Sequence, residues 1–249
     1  MAYEIVFRRG EQSQTYEELR TREIQPTRYA DEFTLNELGL LYSVNYLLDN
    51  LKLNYFLSQK NHVYAQLTLE FLSSLIVSTI PETRSSSGTI YFHMFNVEYE
   101  LSFNDMADLL HFPHGRGVAC EVHNDGSWPN TFSLFLRGIT AKHTESYEGN
   151  TASSIHNPTL RYFCQLLAYT IFGRANPNKV NSKEMFYMFA AIKKLKVNTV
   201  PFLFSHMFSM NLDMADLLHF PHGRGVACEV HNDGSWPNTF SLFLRGIIA

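Results

Sequence analysis

Residues 105–139 and 213–247 share one sequence, DMADLLHFPHGRGVACEVHNDGSWPNTFSLFLRGI, identical at 35 consecutive positions. This constrains the fold more than any other feature, because two copies of one segment cannot both fill the same set of core contacts. A structural repeat shows patterned similarity across its period, each copy adapted to its own neighbours. Here the identity is complete and then stops. Ser102-Phe103-Asn104 precedes the first copy and Met210-Asn211-Leu212 the second. The pattern reads as a recent duplication, or a gene-model or assembly error, and not as a tandem fold unit. A motif inside it therefore counts once. Six of the eleven His, two of the three Cys and both Trp belong to the duplicated stretch, so the apparent richness in His is mostly repetition. The second copy, within residues 209–249, is expected to sit peripherally or poorly packed.

The rest of the chain has the composition of a globular protein: 45% hydrophobic and only 18% charged residues exclude a wholly disordered chain. Twenty basic against 24 acidic residues give a net charge of −4, which argues against a general phosphate-binding surface. No apolar run reaches the length of a membrane span. The first 25 residues hold no signal-peptide core, and three Cys cannot staple a chain of 249 residues; both point to an intracellular protein in a reducing compartment.

Periodicity divides the chain. Residues 1–26 are rich in Glu and Arg with few apolar positions, and read as a charged flexible arm, loose or marginally helical. Leu35, Leu38 and Leu41 suit a short helix broken near Gly39, and Val44, Leu47, Leu48 and Leu51 continue a helical stripe. Tyr64, Leu67, Phe71, Leu72, Leu75 and Ile76 predict an amphipathic helix over 62–78, ended by Pro81 and Ser85-Ser86-Ser87-Gly88. From Thr89 to Phe103 the period becomes two, a β-hairpin pattern with its turn near Asn96-Val97-Glu98. Ser102 and Asp105 resemble a capping box opening a helix to Leu110, before Pro113. His114 to Asn130 is loop-like. Trp128 and Phe132 to Leu136 form an apolar cluster expected to dock on the core, and Thr140 to Ser154 reads as a polar connection. Asn157-Pro158 starts a helix striped by Leu160, Phe163, Cys164, Leu167, Ala168, Ile171 and Phe172 and closed by Gly173. Asn181 with Glu184 opens another, with Met185, Met188, Phe189, Ile192 and Leu195 expected inside. Pro201 precedes a last short helix, Phe202 to Phe208. The fold class is mainly α (α+β): a multi-helix domain over 27–208 with one inserted β-hairpin.

Several blocks form a recognisable series. They are Thr27-Arg28-Tyr29-Ala30-Asp31, Leu38-Gly39-Leu40-Leu41, Tyr64 with Leu67-Thr68-Leu69-Glu70-Phe71-Leu72-Ser73-Ser74-Leu75, Gly88-Thr89-Ile90, Tyr99-Glu100-Leu101-Ser102, Leu110-His111-Phe112-Pro113, and Ile155-His156-Asn157-Pro158 with Leu160-Arg161-Tyr162. In this order they resemble the Orf1 proteins of Athila-type plant LTR retrotransposons, over roughly residues 25–208. The hairpin followed by a helix and Phe-Pro is also similar, more loosely, to the plant mobile domain. The resemblance implies a transposable-element origin in a plant genome. It implies no reaction, cofactor or catalytic residue. The chain departs from the family's pattern where the second copy begins.

Candidate chemistry is sparse. His111, His114, Cys120 and His123 have the spacing H-x2-H-x5-C-x2-H, and x2 pairs let two ligands reach one zinc ion. The alternative is that His111 ends a helix and the others face solvent. Cys120, Cys164 and Ser127 lack any nucleophile signature, and Cys164 falls on a buried stripe. Asp125-Gly126-Ser127 is not the aspartic-protease order, no Tyr-x-Asp-Asp metal motif or retroviral zinc knuckle occurs, and Gly115-Arg116-Gly117 lacks a phosphate loop's Lys. Lys193, Lys194 and Lys196 form a small basic cluster at a helix end, readable as a nucleic-acid contact or as a solvated face that complements the helix dipole. The sequence thus points to a non-enzymatic interaction or structural domain with an unknown protein partner, no membrane contact and no cofactor. A nucleic-acid-binding accessory protein and a zinc-binding module are the alternatives.

Overall fold

In a computed structural model of the chain, the described residues are 3–22, 30–58, 64–79, 87–114, 130–140, 151–173, 176–204 and 207. Trp128, Pro81, the polar stretch 141–150 and the whole second copy lie outside them. The elements run α1 (Gly10–Arg20), α2 (Glu32–Glu37), α3 (Leu41–Leu51), α4 (Asn54–Ser58), α5 (Ala65–Ser74), β1 (Ile76–Thr79), β2 (Gly88–Met94), β3 (Val97–Ser102), α6 (Phe103–Leu109), α7 (Asn130–Thr140), α8 (Pro158–Thr170) and α9 (Ser182–Lys193). A further helical stretch covers 199–204. The fold is predominantly helical with a small antiparallel sheet.

α9 is buried nearly all round. Met185, Tyr187, Met188, Ala190 and Ala191 are fully enclosed, and Phe186 and Phe189 nearly so. A helix apolar on every side belongs in the middle of a core, and α3, α7 and α8 all pack on it. The stripes expected for α3 and α8 are the faces they bury: Val44, Leu47, Leu48 and Leu51 on one, and Leu160, Phe163, Cys164, Leu167 and Ala168 on the other, continued by Ile171 and Phe172. Single positions differ from the periodic expectation, among them Tyr64, the exposed residue that precedes α5. Leu38 and Ile192 are exposed. Leu38 caps the end of α2, just before Gly39 turns the chain at φ 66°, and Ile192 occupies the outer side of the last turn of α9.

The sheet and its neighbours form the other side of the same core. The helix expected over 62–78 is shorter. α5 ends at Ser74, Leu75 turns to extended backbone, and Ile76 begins a strand. Apolar Leu75 and Ile76 fit either period, and β-branched Ile76 and Val77 favour the pleated one. The hairpin is therefore joined by a third strand, in the order β1-β2-β3, with Ile76 opposite Tyr91 and Met94 opposite Val97. Ile90, Phe92 and Met94 face the core as the alternation requires. The turn is one residue earlier than expected, at Phe95-Asn96, both with positive φ (55° and 61°); a two-residue turn of this kind matches the twist of the strands. Gly88 is required at the start of β2. A Cβ there would lie 2.6 Å from the Ser78 carbonyl oxygen and 2.8 Å from the Phe103 ring.

The charged arm expected over residues 1–26 is corrected over its described part. Residues 10–20 form α1, which packs against α5, and Leu19 and Gln12 are 1% exposed. Upstream, the chain is strapped to the hairpin turn and to the end of α5. The Asn96 side chain accepts from Val6 N–H (2.7 Å) and donates to the Glu4 carbonyl (2.9 Å), and Arg9 donates to the Ser74 carbonyl (3.0 Å). Charge on the outer face of α1 conceals the single apolar line through Tyr16 and Leu19.

Candidate functional site

The described members of the two candidate sets lie at helix ends. Ser102 and Asp105 form the anticipated capping box of α6. At the other end, His111 takes a left-handed φ of 55°, its N–H donates to the Asp108 carbonyl (3.1 Å), and Phe112 N–H donates to the Ala107 carbonyl (2.8 Å). This is a Schellman closure. It buries Phe112 against Phe56, ring centroids 5.0 Å apart, and lays the exposed His111 ring on Tyr55 at 3.9 Å. His114 Nε2 lies 2.5 Å from an Asp108 carboxylate oxygen, also exposed. The two histidines therefore have partners of their own, one aromatic and one acidic. Cys120 and His123 lie outside the described residues. Among the described residues, no group of three or more His, Cys, Asp or Glu is placed to hold a metal ion.

Lys193, Lys194 and Lys196 are all exposed at the end of α9. Lys194 is the left-handed cap of that helix, φ 56°, and its ammonium stands 5.3 Å from the centre of the Tyr46 ring on α3. Hydrogen bonding to Lys194, and then to Asn50, holds the Tyr46 hydroxyl below the usual phenol range. Asn50 also donates to the Ala191 carbonyl (2.9 Å), joining α3 to α9.

Beside this pair is an open groove of about 320 Å³, lined by Tyr42, Ser43, Tyr46 and Leu47 of α3, Asn157, Thr159 and Leu160 at the start of α8, and Ile192 of α9. Tyr42 is 83% exposed. Phe33 and Leu38 are also exposed on α2, which packs on α3. Helical spacing assigned Tyr42 and Tyr46 no role. Only the junction of three helices brings them to Ile192 and Lys194, and no local pattern in the chain encodes that.

Other residues of the blocks that carry the resemblance act as internal ties. Glu70, 1% exposed, accepts from the N–H of Phe95 (2.9 Å), the N–H of Asn96 (2.7 Å) and the Tyr3 hydroxyl. Burial, and then the bond to Glu70, push the Tyr3 phenol well above its usual range. Arg161 donates twice to the Ile155 carbonyl (3.0 and 2.8 Å). Asn157 caps α8 by accepting from Leu160 N–H (3.1 Å). Asp31 caps α2, accepting from Phe33 N–H at 3.1 Å, and its backbone meets the Tyr162 hydroxyl, which burial drives upward. Cys164 is fully enclosed, its Sγ 4.0 Å from Glu184, in keeping with its place on the stripe.

Among the described residues, no helix is long and apolar enough to cross a membrane. A family model described as the ATHILA ORF-1 family matches residues 8–199, so the likeness reaches back into the segment that forms α1. No curated protein and no solved structure gives a match.

Proposed function

Because the chain belongs to the ATHILA ORF-1 family, we propose that it is a retroelement-derived interaction domain without a reaction of its own, and that the groove between α3, α8 and α9 is its binding face. The observation that carries this reading is the exposure of Tyr42, Tyr46 and Ile192 around one concave site. Apolar and aromatic side chains gathered in a groove supply area and amphipathic contact for a partner segment. Peptides selected from a random display library for binding to the full chain test it. Selected peptides should lose binding to the Tyr42→Glu and Ile192→Glu variants while those variants keep the parent thermal midpoint. Peptides that bind elsewhere, unaffected by either change, would contradict the assignment. So would a chemical turnover abolished by changing a groove residue.

A second reading has its own observation. Lys194 beside Tyr46 sets a cation next to an exposed ring, the combination that holds a single-stranded nucleic acid by stacking and phosphate attraction. Anisotropy of a labelled oligonucleotide decides it. Binding that weakens with salt and is lost on changing Lys193, Lys194 and Lys196 to Gln supports this reading, and no binding at low salt removes it. The zinc reading of His111, His114, Cys120 and His123 stands as a proposal tested by metal analysis of the purified chain. Less than stoichiometric zinc removes it.

A further inference from the structure

The two helices of the duplicated stretch depend on their surroundings differently. α6 needs residues that precede the copy: Ser102 forms its capping box, and Phe103 is 3% exposed in the core. The second copy has Met210 and Asn211 at those positions. They supply neither the capping hydroxyl nor the buried ring. α7 relies on residues inside the copy. It buries Phe132, Leu136 and Ile139 (0, 2 and 8% exposed). Phe132 and Phe135 lie edge-on to Phe189 of α9, at 5.4 and 5.5 Å between ring centroids. Each of these has an identical counterpart, Phe240, Phe243, Leu244 and Ile247. Only the end changes. Thr140 donates its hydroxyl to the Leu136 carbonyl (2.8 Å), and Ile248 takes its place in the second copy. An apolar side chain there leaves no buried polar group in need of a partner.

We infer that Asn238–Ile247 is a second occupant for the α7 seat on α9, supplied by the same chain and admitted when the first copy is weakened. Thirty residues separate Met207 from Asn238. Extended, they reach on the order of 100 Å, against a domain roughly 40 Å across. Attachment to the same chain gives the segment an effective concentration in roughly the millimolar range, so a second molecule is not needed. The first copy holds the seat in the parent chain because it is tied at both ends, by α6 before it and by the bond from His156 N–H to the Ile139 carbonyl (3.0 Å) after it. The second copy lacks the Ser102 cap and the Phe103 ring at its start.

Thermal unfolding of four full-length chains tests this: the parent, Phe132→Ala, Phe240→Ala and the double variant. Phe240→Ala alone should leave the midpoint unchanged, and Phe132→Ala should lower it by only about 3 °C. The double variant should fall on the order of 10 °C, because the seat then has no intact occupant. Equal drops for Phe132→Ala with and without Phe240→Ala would overturn the inference. If both Phe132→Ala chains fail to fold, the Phe132→Leu and Phe240→Leu set gives the same comparison with a smaller change. A midpoint for Phe132→Ala that rises with protein concentration would show that another molecule supplies the segment, and would overturn the same-chain assignment.

Discussion

A buried carboxylate persists only where donors answer its lone pairs, and Glu70 has three: two turn N–H groups and the Tyr3 hydroxyl. One side chain thus joins the N-terminal strap, α5 and the hairpin turn. Glu70→Ala leaves the Phe95 and Asn96 N–H groups and the Tyr3 hydroxyl without their carboxylate, and is expected to cost about 2 kcal/mol in urea unfolding; a change near zero would mean that water replaces the carboxylate. Asp105 gives a pH-dependent case. Hydrogen bonds from the Ser102 hydroxyl and backbone hold its pKa below the usual 3.8. A depressed folded-state pKa contributes stability that is complete above the unfolded value and lost as the pH falls through the folded one. Ser102→Ala should therefore flatten the acid limb of stability below pH 3.8 and raise the Asp105 pKa, both followed by NMR titration. An unchanged Asp105 titration would contradict the capping role. The anticipated Ser102–Asp105 pair is a local relation written in neighbouring residues. The role of Glu70 is not, because its partners lie 25, 26 and 67 positions away.

At the scale of elements, helix starts were legible and helix context was not. Asn157-Pro158 and Asn181 with Glu184 open α8 and α9 where expected, because a cap is local chemistry. Asn181→Ala should lower stability by about 1 kcal/mol, measured by chemical denaturation; no loss would show the Glu184 side of the box sufficient alone. The boundary between α5 and β1 was misplaced because Leu75 and Ile76 satisfy both periods until the sheet recruits them. The docking of α1 was missed for a related reason. Its charges face outward, and its buried contribution rests on Leu19 and Gln12 alone. Changing Leu19 to Asp should release α1 from α5, seen as faster amide exchange over residues 10–20; unchanged protection would mean that the strap through Tyr3 and Asn96 holds the segment by itself.

At the scale of the molecule, the blocks that carry the resemblance are where the chain is tied together: Asp31, Glu70, Gly88, the His111-Phe112 closure, Asn157 and Arg161. This explains why a family pattern could be read without disclosing a reaction. Its residues cap helices, close turns and permit close approaches. The groove sits between them, and its lining comes from segments more than 140 positions apart in the chain. The duplicated stretch has its place in this account as well. The first copy is fixed by a cap and a buried ring that lie outside the copied sequence; the second copy lacks both, and we propose that the core does not need it.

The measurement that tests this most directly is calorimetric unfolding of the full chain beside a chain ending at residue 207. The account predicts one cooperative transition in both, with midpoints within about 3 °C of each other. Loss of the cooperative transition in the shorter chain would show that residues 208–249 complete the core, and would contradict it.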